Sequence, residues 1–242
     1  KIEHSNIYDE DIYTNAGLPS IYGSGSRESN LKSDFDNGVT VEFWLKTGSA
    51  MPLSSLNNET EKQVVLDMWN NNAETAHDYG RITIELLGTA SASPFRLTIQ
   101  SGNADPGIFQ QTIGNNVNVN TLAKWHHYAF VMQNTGSGHA VKFYVDGEYN
   151  DTLTHTGTIG ELPAKDMMGR IGALLTTPSE TTATGSLAGA GKLSGSLDEF
   201  RFWKTARTAR EIGLNWFDQV RGGTNTDISN TTLGIYYKFN EG

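Results

Sequence analysis

The stretch from Trp125 to Tyr149 constrains the fold more than any other part of the chain. In its second half, Val141, Phe143 and Val145 occupy every second position, which is the period of a half-buried β-strand. The first half is an aromatic and β-branched run of similar length. Residues 134–138, Asn-Thr-Gly-Ser-Gly, lie between the halves and tolerate positive φ. The stretch therefore predicts a long antiparallel hairpin and an all-β core.

Other segments extend this pattern on both sides of the hairpin. Asp146-Gly147 predicts a tight turn into a further strand. Strands are predicted at 12–13, 20–22, 39–46, 64–69, 81–87, 95–100, 197–203 and 233–242, with no strand assigned over 101–120 and residues 152–170 irregular. A helix is predicted from about Thr208 to Val220, because Thr208 and Glu211 form a capping-box pattern before an apolar face.

Composition excludes several classes of protein. A net charge of −9 without a Lys/Arg patch argues against a nucleic-acid partner. The sequence has no apolar run of transmembrane length and no signal peptide, so membrane insertion is not expected. The absence of cysteine excludes disulfides, zinc–thiolate sites and thiol catalysis.

Three segments together resemble a known family. The run from Trp125 to Gly147 resembles the central hairpin of laminin G-like domains, in the concanavalin A-like jelly-roll class. Val39–Lys46 and Gly195–Trp203 resemble an early and a late strand of the same domains, in the right order. Ile171–Leu175 also resembles a short strand of the family that begins with Ile-Gly. The resemblance implies a jelly-roll β-sandwich of two antiparallel sheets with one short C-terminal helix.

The chain is expected to form a single domain over residues 1–242. Residues 221–242 predict a linker and then a strand. That strand either closes this sandwich beside the N-terminal strand or opens a following domain. Because the chain begins with Lys1, it is either processed or an excerpt of a longer, multidomain protein.

The sequence does not predict an enzyme. Glycosidases that share this jelly roll carry two Glu residues flanking an Asp on one strand, and this chain has no such run. Asp198 and Glu199 are adjacent, so a regular strand would place their carboxylates on opposite faces. His126 and His127 are separated in the same way, and His127 matches a structural, hydrogen-bonded core histidine of the family.

Sugar recognition requires an exposed aromatic face beside amide or carboxylate side chains. The sequence candidates for ligand binding are Trp69, Asn70, Asn71, Asn72 and Tyr79. In the alternative interpretation, Trp69 ends a strand and covers the core, and the polar loop beside it is merely solvated.

The family resemblance also implies a structural calcium ion held by Asp198. Asp34, Asp36 and the segment Gly23–Ser26 offer further oxygen ligands, which a hard cation prefers. In the alternative, Asp198 accepts hydrogen bonds from loop amides and holds no ion.

These inferences favour a non-catalytic recognition or adhesion module that binds a glycan or protein ligand. Its setting would be extracellular, on a cell surface or on a virion. One alternative is a purely structural or protein-binding module of a fibre or capsid, and a polysaccharide hydrolase with a displaced acid pair is the third.

Overall fold

The structure, a computed structural model, describes residues 2–3, 30–47, 63–72, 76–86, 93–102, 108–117, 124–162, 167–176, 191–220 and 232–240. The strands expected at 12–13 and 20–22 and the calcium-ligand segment Gly23–Ser26 lie outside these ranges. Within them, no helix has the length and hydropathy needed to cross a membrane.

Antiparallel strands dominate the described residues. In chain order they are β1 Ile2–Glu3, β2 Val39–Thr47, β3 Gln63–Trp69, β4 Gly80–Leu86, β5 Phe95–Ser101, β6 Ile108–Ile113, β7 His126–Thr135, β8 Gly138–Val145, β9 Glu148–Thr156, β10 Met168–Ile171, β11 Gly195–Trp203 and β12 Leu233–Tyr237. The helix α1, Ala209–Asn215, lies between β11 and β12.

The strands form two six-stranded antiparallel sheets. The first has the order β1-β10-β3-β4-β5-β6, and the second has the order β12-β11-β2-β7-β8-β9. The predicted all-β jelly-roll sandwich is confirmed. The last strand, β12, lies at the edge of the second sheet beside β11, whereas the N-terminal strand lies in the first sheet beside β10.

The two sheets enclose an aromatic core contributed mainly by the second sheet. Phe43 on β2 stacks on Phe200 of β11 with ring centroids 6.3 Å apart, and Phe130 on β7 lies 4.8 Å from Phe143 of β8. Phe95 of the first sheet packs edge-on against Phe130 at 5.3 Å. Burying each of these side chains stabilises the fold by about 1.5–3 kcal/mol.

Several boundaries differ from the sequence predictions, and the strand expected at 171–175 lies instead at Met168–Ile171, paired with β3. Residues 108–113 and 152–156 were not predicted as strands, but pairing with β5 and β8 makes them so. The helix ends at Asn215 rather than near residue 220. The carbonyl oxygens of Asn215 and Asp218 accept hydrogen bonds from the Arg201 guanidinium, so they do not continue a helix.

A tight turn joins β8 to β9, as predicted. Asp146 and Gly147 have φ of 50° and 81°, so both adopt the left-handed conformation of a type I′ hairpin turn. A Cβ atom added to Gly147 would lie 2.2 Å from Cδ1 of Trp216, just after α1. The turn therefore requires glycine for two reasons, its backbone angle and the indole that packs on it.

Gly147→Ala is expected to destabilise the protein more than Gly136→Ala does. Gly136 also has a positive φ, 58°, but no atom lies within 4 Å of the position that a Cβ atom would take there. Gly136→Ala should therefore cost only the backbone strain of about 1–2 kcal/mol, while Gly147→Ala adds the clash with Trp216. Urea unfolding measures both free energies. Equal losses would show that Trp216 does not pack on this turn.

A hydrogen-bond network surrounds the buried ring of His139 on β8. The Nδ2 of Asn134 donates to Oδ1 of Asp36 at 2.7 Å and to the carbonyl oxygen of Ile159 at 2.9 Å. Its Oδ1 is thereby fixed as an acceptor, so Nδ1 of His139, 3.0 Å away, must donate. The other ring nitrogen of His139 is buried and has no hydrogen-bond partner among the described residues.

The surroundings of His139 favour the neutral ring. Phe35 and Phe109 contact it edge-on, with ring centroids 5.1 and 5.7 Å away. Burial, and secondarily the charge of nearby His155, lower the pKa of His139 from 6.5 to about 4. The folded protein therefore binds fewer protons than the unfolded chain between these values. The contribution of the neutral His139 ring to the free energy of unfolding is fully present above pH 6.5 and is lost as the pH falls towards 4.

His139→Gln should remove this pH dependence. Between pH 7 and pH 5 the wild type should lose about 2 kcal/mol of unfolding free energy through His139, a loss that an uncharged Gln does not share. Urea unfolding at the two pH values measures it. The exposed His77 provides the control, since His77→Gln should behave as the wild type. An unchanged pH dependence in His139→Gln would contradict the assignment.

Candidate functional site

Trp69 and Tyr79, the predicted sugar-stacking residues, lie in the core. Both side chains are fully buried in a small cluster with Leu175. Nε1 of Trp69 donates to the carbonyl oxygen of Asn72 at 3.0 Å, and the Arg81 guanidinium lies 5.9 Å from the Trp69 ring centroid. Neither ring has an open face on which a sugar could stack, so the structure corrects the expected stacking role. The burial of Trp69 agrees with the alternative interpretation, in which Trp69 ends a strand and covers the core.

The adjacent asparagines hold their own loop together. Asn70 is buried, and its Oδ1 accepts from the backbone N–H of Gly80 at 3.1 Å. Nδ2 atoms of Asn70 and Asn72 both donate to the carbonyl oxygen of Asp78. Asn71 has a positive φ of 62°, which asparagine tolerates in turns. The Asn-rich pattern is thus explained by the turn that it builds.

The three predicted calcium ligands do not lie together. Asp198 is paired with Trp44, whereas Asp36 precedes the start of β2 at Val39. The five residue steps from Val39 to Trp44 along β2 span about 17 Å, and calcium–oxygen distances are about 2.3–2.6 Å. One ion therefore cannot contact Asp198 together with Asp34 and Asp36. Asp34 instead accepts from the N–H of Asp36 at 3.0 Å.

Calcium at Asp198 without the other two aspartates stays a prediction. In the ranges that the structure describes, no three His, Cys, Asp or Glu side chains are grouped to hold a metal ion. Oδ1 of Asp198 accepts from the N–H of Glu199 at 2.9 Å.

A β-bulge corrects the expected geometry of Asp198 and Glu199. The register of β11 against β2 shifts between Asp198 and Arg201, and Glu199 has a φ of 49°. Glu199 therefore shares a face with Arg201, to which it is bonded at 3.0 Å, and also accepts from the hydroxyl of Tyr236. The bulge thus places the carboxylates of Asp198 and Glu199 on the same face of β11. The Glu199 carboxylate is hydrogen-bonded to Arg201 and Tyr236.

The outer face of the second sheet carries a buried charged cluster around Glu42 on β2. Its Oε1 accepts from Arg207 at 2.6 Å, and its Oε2 lies 3.5 Å from Arg201 and 3.6 Å from Nε2 of His127. Burial alone would raise the pKa of Glu42, but the His127 ring and the Arg207 and Arg201 charges hold it below its ordinary value. The His127 ring is buried as expected, but neither of its nitrogens has a hydrogen-bond partner within 3.5 Å among the described residues.

The helix α1 packs on this same face. The predicted capping box of Thr208 and Glu211 is present, and Ile212 packs against Ala129 and Tyr144 of the sheet. Just beyond the helix, Trp216 lies 5.4 Å from Trp44, measured between ring centroids. The helix and its following turn therefore cover the charged cluster and reach the β8–β9 turn.

Tyr149, directly after that turn, presents an exposed aromatic ring. It is 58% exposed, although its cross-strand neighbour Tyr144 is buried. The two rings form an edge-to-face pair, with centroids 5.9 Å apart and an interplanar angle of 78°. This geometry supports the Tyr149 ring from one side and leaves the rest of it to solvent.

Asn150, which follows Tyr149 in β9, ties this strand to the 114–117 turn. Nδ2 of Asn150 donates to the carbonyl oxygen of Asn115 at 3.1 Å, and Asp151 accepts from the N–H of Asn115 at 3.2 Å. Asn115 and Asn116 are exposed. We refer to Tyr149, Asn150, Asn115 and Asn116 as the Tyr149 surface.

A second exposed ring flanks the same turn. Trp125 is 43% exposed and precedes His126, whose Nδ1 lies 2.7 Å from Oδ2 of Asp146. Tyr149-Asn150 has the same aromatic–amide pattern as Trp69-Asn70. The sequence does not distinguish the exposed pair from the buried pair, so the site was missed.

The sequence as a whole matches a known family. A laminin G-type family model, described as the concanavalin A-like lectin/glucanases superfamily, matches residues 23–213, which is most of the chain. The chain belongs to this superfamily. The predicted family is thereby confirmed. A comparison with characterised protein sequences finds no significant match.

Several solved structures are similar to this chain at low sequence identity. A SAP-like pentraxin from Limulus polyphemus has a TM-score of 0.49 at 12% identity over 86% of this chain and 82% of its own. A putative carbohydrate binding protein from Bacteroides ovatus has 0.48 at 18% over 86% and 48%, and the Botulinum neurotoxin serotype G binding domain 0.50 at 9% over 77% and 38%. This chain therefore spans less than half the length of the last two. At these identities the similarity concerns the fold alone.

Proposed function

We propose that this chain is a non-catalytic recognition module that binds carbohydrate through the Tyr149 surface. The observation that carries the proposal is a highly exposed tyrosine ring, supported edge-on by Tyr144, on a strand that Asn150 ties to the turn with the exposed residues Asn115 and Asn116. The aromatic face suits the C–H face of a sugar ring, and the amides suit its hydroxyl groups.

Pre-organisation supports this choice. Asn150 donates to the carbonyl oxygen of Asn115, and the N–H of Asn115 donates to Asp151, which ties the 114–117 turn to the start of β9. Trp216 packs on Gly147. A ligand would therefore meet groups that are already ordered, which reduces the entropy lost on binding.

The superfamily description includes both lectins and glucanases, and the residues favour the lectin type. The sequence has no strand with the paired carboxylates that glycosidases require. The carboxylates of Glu42 and Glu199 are hydrogen-bonded to arginines. The setting that we propose is a secreted, cell-surface or virion protein, in which this module serves adhesion.

Tyr149→Ala is expected to weaken glycan retention by at least about tenfold, because it removes the stacking ring. The measurement is a glycan array, followed by titration calorimetry with the best-retained glycan. The unfolding free energy should change by no more than about 0.5 kcal/mol, as is usual for an exposed side chain.

Tyr237→Ala is the matched control. Tyr237 is 40% exposed on β12, at the opposite edge of the same sheet from β9. This variant should retain glycan as the wild type does. Equal weakening in both variants, or no retention of any glycan by the wild type, would contradict the proposal and favour the purely structural or protein-binding alternative.

A further inference from the structure

The helix α1 carries apolar residues on its outward side as well as on the side that faces the sheet. Ile212 packs against the sheet, and Trp216, one turn later, contacts an indole of β2. On the outward side, Arg210, Leu214 and Phe217 follow one another at helical spacing. Leu214 is 59% and Phe217 62% exposed, more than any other large apolar side chain that the structure describes. A helix that is apolar on both sides is expected to be covered on both.

The outward side is held in a fixed shape. The N–H of Asp218 donates to the carbonyl oxygen of Asn215 at 3.2 Å, so the chain winds one further turn beyond the helix. The Phe217 ring packs edge-on against Trp216, with centroids 5.6 Å apart and an interplanar angle of 87°. We refer to Arg210, Leu214, Phe217 and Asp218 as the α1 outer face.

The two charges of this face lie at its opposite ends, four positions before and four positions after Leu214. Among the described residues, neither the Arg210 guanidinium nor the Asp218 carboxylate forms an ion pair or a side-chain hydrogen bond. Both charges also oppose the helix dipole, which favours anions at the N-terminus and cations at the C-terminus. The last turn contains no basic residue. Nothing within the described part of the chain therefore compensates this arrangement.

A second copy of the same face would compensate it. When two copies pack antiparallel about a two-fold axis that passes beside Leu214, each Arg210 lies opposite Asp218 of the second copy. The apolar side chains then meet in the centre. Such self-complementarity is what a symmetric dimer requires. An anionic membrane surface is a poorer partner, because Asp218 and the net charge of −9 would be repelled by it.

We propose that the α1 outer face is the interface of a symmetric homodimer. The two helices pack antiparallel, about 8–10 Å apart, with Leu214 and Phe217 of both copies buried between them. Two Arg210–Asp218 pairs between the copies fix the antiparallel direction. The small apolar centre makes this a weak dimer, with a micromolar or higher dissociation constant. The interface does not depend on glycan binding at the Tyr149 surface.

Charge reversal tests the pairing of Arg210 with Asp218. Sedimentation velocity from micromolar to millimolar concentration should show a reversible dimer of the wild type. Arg210→Asp and Asp218→Arg should each raise the dissociation constant by at least about tenfold, since two attractive pairs become repulsive. The double variant should return to within about threefold of the wild type, since opposite charges face each other again. Loss of the helix would not explain weaker association, because both reversals agree with the helix dipole.

Two further variants link association to the apolar centre. Leu214→Ser should abolish the dimer while the circular dichroism and the urea midpoint stay those of the wild-type monomer. Tyr237→Ala is the control. Tyr236 lies against Arg201 on the helix side of the sheet, so its neighbour Tyr237 faces the other side. This variant should dimerise as the wild type does.

Three results would overturn the proposal. The first is a wild type that remains monomeric over the whole concentration range. The second is a double charge reversal that does not restore association. The third is a monomer that binds phosphatidylcholine vesicles through Leu214, because the α1 outer face would then dock on a membrane instead.

Discussion

The buried carboxylate of Glu42 is the interaction on which the outer half of this structure depends. It lies between strands in a position with no access to solvent, where an unpaired charge would be strongly unfavourable. Arg207 and Arg201 supply the compensating charges, and both belong to the segments that lead into or lie under α1. Removing one partner of such a buried pair typically costs about 3–5 kcal/mol, because the other charge is left uncompensated.

The position of the helix follows from this cluster and determines both proposed binding regions. Arg201 also binds the carbonyl oxygens of Asn215 and Asp218, which ends the helix and leads the chain past Trp216. Trp216 then packs on Gly147, so the turn that presents Tyr149 is held from outside the sheet. The same arrangement leaves Leu214 and Phe217 exposed on the outward side of the helix segment. Packing on the outer face of the sheet thus connects the cluster to the sites.

The spacing of apolar residues along the strands and the capping pattern of the helix made much of the fold predictable. Alternation between Val141 and Val145 and the Asp146-Gly147 turn depend on local chemistry, as does the Thr208 cap, and the structure contains all of them. The strand β6 was missed because its pairing with β5, rather than its own pattern, decides its conformation. This is the usual tertiary override of a weak local signal.

The candidate sites were less predictable, because burial depends on distant parts of the chain. Trp69 and Tyr149 both stand beside an asparagine, yet one is covered by Leu175, far along the sequence, and the other lies on an edge strand. The bulge after Asp198 reverses the faces that simple alternation assigns.

The most direct test of this account measures amide hydrogen exchange in Glu42→Gln and compares it with exchange in Glu85→Gln. Glu85 is a matched control, a buried carboxylate that binds Arg96 at 2.7 Å in the other sheet. Glu42→Gln should accelerate exchange in α1 and in the β8–β9 turn while β3, β4 and β5 stay protected, since local opening follows the lost contacts. Glu85→Gln should leave the helix as protected as in the wild type. A helix that keeps its protection in Glu42→Gln would contradict the central role of this carboxylate.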